Sequence, residues 1–291
     1  MELNLKAMAK INLGLDVLRR REDGYHEVRM VMQTISLFDR ITLRKVSKPG
    51  IRVRTNLYYL PVNENNLVYQ AAKLLIDEFG IEEGVQIDLK KHIPVAAGMA
   101  GGSSDAATVL YGMNRMFGLK LSKEALMKRG LKIGADVPYC LLRGTALAEG
   151  IGEKLTPLPK APACRVLIAK PPVSVSTKVV YENLKLDGEA VHPDMDGVLT
   201  ALEAGDLRKL AGSMGNILES VTCTRYPVIL QLKEMMKEQG ALNALMSGSG
   251  PTVFGLFEDS AKARAAMKAI KIQGLAKQVY LAEMFHNRRK S

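Results

Sequence analysis

Residues 93–107 read Ile-Pro-Val-Ala-Ala-Gly-Met-Ala-Gly-Gly-Ser-Ser-Asp-Ala-Ala, and no other stretch narrows the possible folds as much. Three glycines, Gly98, Gly101 and Gly102, lie among small residues and run into Ser103, Ser104 and Asp105. Glycine lets backbone N–H groups turn toward one point and lets a bulky anion approach the chain closely. Ahead of the loop, Val85, Ile87 and Leu89 alternate with polar residues, as in a half-buried strand ending near Pro94. Behind it, Ala106, Val109, Leu110, Met113 and Phe117 form a stripe at helical spacing, with Gly118 just past its end. Strand, glycine turn and helix start together make a phosphate cradle, because a helix start adds free N–H groups and the positive end of its dipole. The loop lacks the lysine of a Walker A motif and the spacing of a dinucleotide fingerprint. Ser103 or Ser104 is the expected helix cap.

The rest of the chain reads as α+β. Strand patterns occupy 2–6, 9–17, 28–37, 41–44 and 51–54, with a turn at Asp23-Gly24. Asn66 is placed to cap a helix that stops at Gly80, and Ser122 to cap another reaching about Ile133. Prolines 157, 159 and 162 make a stiff connector, so the reading divides the chain into domains 1–158 and 159–291. Beyond it come a strand over 164–169, helices over 195–204, 207–214 and 227–240, strands over 242–246 and 252–257, a helix over 260–270 and a strand over 277–283. Mixed order of this sort predicts an α+β sandwich in each half.

The net charge of +11 suits nucleic acid, small polyanions or simply a lysine-rich surface. Only 5% of residues are aromatic and none is tryptophan, which leaves a base-stacking platform poorly supplied. The charge by itself leaves small polyanions such as ATP and a plain solvated surface both open, and neither nucleic acid nor a membrane is an expected partner. No apolar run approaches the roughly 20 residues that cross a bilayer, and the start lacks a signal-peptide core, so the expected location is the cytoplasm. Cys140, Cys164 and Cys223 fit neither a disulfide framework nor a zinc pattern and read as plain thiols.

Four further segments carry chemistry-bearing residues, and each alone has an ordinary reading. Lys10 and Asn12 share the polar side of a strand, which is usually a solvated face. Asp23-Gly24-Tyr25-His26 suits a hairpin turn, and Gly134-Ala135-Asp136-Val137-Pro138 a helix-to-strand junction. Ser247-Gly248-Ser249-Gly250-Pro251-Thr252 suits a tight turn. Together, a cradle, a lysine, an isolated carboxylate and a second glycine loop are the parts that phosphoryl transfer needs.

These motifs resemble the galactokinase, homoserine kinase, mevalonate kinase and phosphomevalonate kinase (GHMP) superfamily over nearly the whole length. The pairing of Ala9-Lys10-Ile11-Asn12-Leu13 with Asp23-Gly24-Tyr25-His26 resembles one branch of it, the 4-diphosphocytidyl-2-C-methyl-D-erythritol kinases. The resemblance implies a two-domain α+β GHMP kinase fold, with a ribosomal-protein-like N-terminal domain and a ferredoxin-like C-terminal domain. It implies ATP-dependent phosphorylation of the 2-hydroxyl of the erythritol unit in the non-mevalonate isoprenoid pathway, with Mg²⁺ carried on ATP. Lys10 and Asp136 would be the catalytic pair, with Asp136 either a proton acceptor or an orienting charge ion-paired to Lys10. Asn12, Tyr25, His26 and Tyr181 would line the substrate site, with Tyr25 and Tyr181 stacking on the cytosine and His26 hydrogen-bonding to it. Pro94, Val95, Ala96, Ala97, Gly98, Met99, Ala100, Gly101, Gly102, Ser103 and Ser104 would bind ATP.

The sequence departs from the family pattern in two places. Met8 stands where the family often has proline, and the loop has fewer glycines than the usual G-A-G-L-G-G-G. Alanine at positive φ is strained, so Gly98, Gly101 and Gly102 are expected at any such positions. Carboxylates near the loop are few, so any Mg²⁺ is expected on nucleotide phosphates and water. A sister kinase with another alcohol substrate and a basic nucleic-acid-binding protein are the competing readings. Tyr25, His26 and Tyr181 favour a substrate with a flat base over the first, and Lys10 and Asp136 have no role in the second.

Overall fold

The computed structural model describes residues 1–188 and 190–286. The chain forms two compact units that alternate along the sequence. The first comprises 1–9, 38–95 and 100–142; the second comprises 10–37, 96–99 and 143 onward.

Two long strands contribute residues to both units. β1 spans Glu2–Arg20 and β2 spans His26–Val46, and the two pair. The sequence pattern splits each into two strands, because alternation lapses midway. It lapses because residues 7–17 are buried on both faces, so small, apolar and polar side chains all lie inside. The turn expected at Asp23-Gly24 is present, with Gly24 at φ 84.

In the first unit, β3 (Ile51–Thr55) is followed by α1 (Leu67–Phe79) and β4 (Gly84–Lys90). β4 runs parallel to β3 and antiparallel to the second half of β2, with Ile87 opposite Leu43. The side chain of Asn66 accepts the Val68 N–H at 3.1 Å and Gly80 closes α1 in the left-handed region, as the pattern predicts. A cap of this kind stabilises by about 1 kcal/mol. Next come α2 (Gly101–Met116), α3 (Lys123–Leu131, capped by Ser122) and α4 (Val137–Leu142). α2 buries Ala106, Val109, Leu110 and Met113, but also Ser104, Asp105 and Thr108, so its first half is covered almost all round.

α4 corrects the helix-to-strand junction expected around Asp136, which instead lies between two helices. Proline is tolerated in a first helical turn, so Pro138 does not end this one.

The second unit holds β5 (Thr145–Gly150) and β6 (Lys154–Pro157), an antiparallel pair absent from the sequence reading: β5 buries small residues such as Ala146 and Ala148, and β6 enters the proline-rich stretch. β5 also pairs with the first half of β2. Then follow β7 (Arg165–Lys170), α5 (Thr177–Asn183), α6 (Met195–Ala204), α7 (Leu207–Ser213), α8 (Glu219–Arg225), α9 (Val228–Glu238), β8 (Asn243–Met246), β9 (Val253–Phe257), α10 (Ser260–Ile272) and β10 (Gln278–Glu283). The order β10-β7-β9-β8 is fully antiparallel: the two outer strands of the chain order pair beside each other, as in a ferredoxin-like split βαβ sheet. Its core includes Phe254, Phe257, Ile168 and Leu167, all fully buried. The short helices α5 and α8 have too few turns to show a period.

Candidate active site

Lys10 lies in the second unit, within the doubly covered part of β1, and is 5% exposed; Asn12 is fully buried. The solvated strand face expected for this pair is therefore absent. A buried ammonium needs acceptors, and Lys10 Nζ donates to Asn12 Oδ1 at 2.7 Å and to the Gly98 carbonyl at 3.0 Å. Lys10 and Gly98 are 88 positions apart in sequence and are closed together by this hydrogen bond. The second glycine loop passes the same ammonium: a Cβ on Gly248 would lie 3.5 Å from Lys10 Nζ.

The two glycine loops are locked together within this unit. Ser247 Oγ donates to the Gly98 carbonyl at 2.9 Å. Gly98 has φ 73, and a Cβ there would overlap the Ser247 carbonyl oxygen, so only glycine fits. Asn216 Nδ2 holds the other side, donating to the carbonyls of Met246 and Gly248, each at 2.8 Å. Thr222 Oγ1 donates to the Ser249 carbonyl, and the hydroxyls of Ser249 and Thr177 are 2.7 Å apart.

The backbone of the first loop departs from expectation. Ala96 (φ 49), Gly98 (φ 73) and Ala100 (φ 52) occupy the left-handed region, while Gly101 and Gly102 do not. Two alanines thus take positions that the sequence reading assigns to glycine. Left-handed residues at every second position are the pattern of an anion-binding nest, in which successive N–H groups turn to one side. A Cβ in this region costs about 1 kcal/mol at each of Ala96 and Ala100. Ala100 is also the N-cap of α2 and makes no side-chain cap bond, so neither Ser103 nor Ser104 caps the helix. Ser104 Oγ is buried and donates instead to the Met8 carbonyl at 2.7 Å. The first-turn N–H groups of α2 are consequently left without a side-chain cap.

The first unit carries Asp136, in the segment between α3 and α4. A Cβ at Gly134, two residues earlier, would lie 4.0 Å from Ser103 Oγ, so this segment runs beside the start of α2. Sequence reasoning misses a buried ionic cluster beneath the same helix start. Lys91 Nζ contacts Asp39 Oδ2 and lies 2.6 Å from Asp105 Oδ2. Asp39 Oδ1 also accepts the backbone N–H groups of His92 and Ile93, which lead into the loop. The one sequence signal for it is charge inside apolar surroundings: Asp39 between two strand patterns and Asp105 on a helix stripe.

The expected base site is only partly assembled. His26 and Tyr181 lie together in the second unit, with ring centroids 5.0 Å apart and planes tilted by 45°. Tyr25 is 62% exposed. Burial, with Arg20 adding to it, holds the His26 imidazole below its ordinary pKa, so the ring is biased toward its neutral, hydrogen-bonding form.

A basic side chain and two interlocked glycine turns, on an α+β frame with a ferredoxin-like sheet, define a class of phosphoryl-transfer protein. The family model for the GHMP kinase N-terminal domain matches residues 66–144, and the one for the GHMP kinase C-terminal domain matches residues 198–275. The chain belongs to the GHMP kinase family and is a small-molecule kinase. It is 58% identical over 283 residues to a 4-diphosphocytidyl-2-C-methyl-D-erythritol kinase of Lachnospira eligens, covering 97% of this chain and 98% of that one. A second kinase of that name, from Lachnoclostridium phytofermentans, is 57% identical over 286 residues, covering 98% of each. The crystal structure of a 4-(cytidine 5'-diphospho)-2C-methyl-D-erythritol kinase matches with a TM-score of 0.84 at 33% identity, covering 98% of this chain and all of the other. A homoserine kinase from Cytophaga hutchinsonii shares the fold, with a TM-score of 0.78 at 22% identity over 98% of this chain and 95% of its own.

Proposed function

We propose that this chain transfers the γ-phosphoryl group of ATP to the 2-hydroxyl of 4-diphosphocytidyl-2-C-methyl-D-erythritol, a step in non-mevalonate isoprenoid precursor synthesis. The observation that carries the reading is the buried Lys10 ammonium, aimed at the Gly98 carbonyl where the two glycine loops lock. A desolvated cation fixed beside an anion nest offsets charge on a moving phosphoryl group without reorganising. The names of the relatives support the choice of alcohol.

In this reading, residues 94–104 hold the ATP phosphates, using the left-handed turns at Ala96, Gly98 and Ala100 and the uncapped start of α2. Asn12 lines the alcohol site and orients Lys10 through their hydrogen bond. His26, Tyr25 and Tyr181 hold the cytosine, the imidazole by hydrogen bonding and the phenol rings by stacking. Asp136 accepts the 2-hydroxyl proton while that oxygen bonds to the γ-phosphorus. The bond from the γ-phosphorus to the bridging oxygen breaks, and ADP leaves with its electron pair. Among the described residues, no group of three or more His, Cys, Asp or Glu is arranged to hold a metal. A Mg²⁺ entering with ATP fits this site if phosphate oxygens and water supply its ligands, and it would offset phosphate charge there. The division of the chain into an ATP-binding part, 1–158, and a GHMP C-terminal part, 159–291, is supported by one matched family segment in each, while residues 10–37, 96–99 and 143–158 pack with the second compact unit. No described helix is long and apolar enough to cross a membrane.

An ADP-release assay with the cytidine diphosphate alcohol, mevalonate and homoserine tests the reading. Turnover is expected with the first alone; equal turnover with a substrate lacking cytosine would overturn it. Asp136→Asn is expected to lose about 10²–10⁴-fold in kcat with nucleotide affinity kept. Near-normal turnover in that variant would remove Asp136 as proton acceptor.

A further inference from the structure

The ionic cluster under α2 holds one lysine against two carboxyl groups, and all three side chains are buried. Lys91 and Asp39 are the charged groups facing Asp105, one from the segment after β4 and one from β2. The two carboxyl groups are bonded unequally. Asp39 uses both oxygens: Oδ2 takes the ammonium, and Oδ1 takes the N–H groups of His92 and Ile93. Asp105 accepts only from Lys91, through Oδ2, and its Oδ1 has no hydrogen-bond partner among the described residues.

If both carboxyl groups were ionised, the cluster would carry a net negative charge, with one bare anionic oxygen inside the protein. Leaving a buried charge uncompensated is strongly destabilising. The dipole of α2 favours an anion near its start by far less, which does not offset that cost. We propose that Asp105 is held as a neutral carboxylic acid in the resting enzyme, leaving Lys91 and Asp39 as a balanced pair and the start of α2 free of buried negative charge. Burial pushes the Asp105 carboxyl well above the usual carboxylate range; Lys91 opposes this, and Asp39 adds to it by charge and by a hydrogen bond to the protonated form.

The consequence belongs to phosphate binding and rests on the reading that residues 94–104 hold ATP. An ionised carboxylate one turn into α2 would cancel the positive potential that the helix start offers an incoming triphosphate. Asp105 touches no nucleotide in this account; it is a positioning residue acting through the helix start and, by way of Lys91 and Asp39, through the backbone leading into the loop.

The test combines carboxyl-¹³C aspartate NMR with kinetics. One aspartate signal in the wild type should keep the protonated-acid position at pH 7 and be missing from Asp105→Asn. That variant, the neutral isostere, should hold KM for ATP within about twofold. Asp39→Asn should raise KM for ATP about tenfold, with KM for the alcohol unchanged, because an amide NH2 set against the Lys91 ammonium in place of Oδ2 pushes the side chain off the backbone leading into the loop. The folded-state pKa of Asp105 is raised, so its contribution to stability is full at low pH and is lost as pH rises through that value. The unfolding free energy of the wild type should therefore fall relative to Asp105→Asn as pH rises from the unfolded-chain value of about 4, and level off once the folded-state value is passed. Every aspartate titrating below about pH 5, or a tenfold rise in KM for ATP in a stably folded Asp105→Asn, would overturn the proposal. The NMR result stands even where Asp39→Asn does not fold. If saturating ATP left the loop amides of Ala96, Gly98 and Ser104 unshifted, the ATP reading and the phosphate-binding part of the proposal would fail. The protonated-acid signal would then still uphold the neutral carboxyl.

Discussion

Lys10 makes the strongest commitment of any single side chain. Its ammonium has left water for two acceptors, Asn12 Oδ1 and the Gly98 carbonyl, so its direction is set before any substrate arrives. Lys10→Met should lower kcat by about 10²–10³-fold, the usual loss for a preorganised donor. It should also lower stability by about 1–3 kcal/mol, because Asn12 Oδ1 loses its donor and the Gly98 carbonyl keeps only Ser247 Oγ. Steady-state kinetics beside urea unfolding would check both; a variant with normal kcat would remove Lys10 from the chemistry. His26 makes a quieter commitment. Its pKa is depressed, so the neutral ring persists through neutral pH and is lost only as pH falls through that lowered value. KM for the cytidine alcohol should be flat from about pH 8 to 7 and rise only in acid, with the rise beginning below the ordinary imidazole value of about 6.5. A rise already between pH 8 and 7 would contradict this.

At the scale of elements, the loop before α2 shows what a glycine count omits. Gly98 is required twice over, by its φ of 73 and by the Ser247 carbonyl packed against its Cα. Gly98→Ala should cost more than about 1 kcal/mol of stability and raise KM for ATP, since the two loops cannot both hold their positions. Ala100 is in the opposite situation, a residue with a Cβ in a left-handed cap. Ala100→Gly should stabilise by up to about 1 kcal/mol, the relieved strain less the extra freedom of the unfolded chain. Urea unfolding midpoints separate the two cases; a destabilised Ala100→Gly would show that this alanine is unstrained. The other elements follow local rules. Asn66, Ser122 and Gly80 sit where caps and stops belong, and their helices begin and end accordingly.

At the scale of the whole molecule, the net charge of +11 acts on encounter rather than on chemistry. Both substrates are polyanions, so kcat/KM should fall several-fold between about 20 and 500 mM salt while kcat changes little. A stopped-flow or steady-state salt series would check this; a salt-independent kcat/KM would mean that the surface charge does not steer. The strand and helix order was legible along most of the chain, because periods, caps and turns are local. The pieces it missed have local causes: α4, α5 and α8 are too short to show a period, β5 turns only small residues such as Ala146 and Ala148 inward, and β6 enters a run that proline makes look like a linker.

The sequence by itself determined that a strand and a glycine-rich turn lead into a helix after residue 93. It also marked a lysine, an aspartate and a second glycine turn as the other residues to look for, since glycines, caps and alternation act over a few residues. Tertiary structure alone decided that Lys10 is buried rather than solvated, because burial depends on what covers a strand's second face. It alone decided that Ala96 and Ala100, rather than Gly101 and Gly102, take the left-handed turns, because contacts from distant chain can hold strain that local preference would avoid. And it alone brought Asp39, Lys91 and Asp105 into one buried cluster, since 52 and 14 residues of chain separate Lys91 from its two partners and no local rule reaches that far.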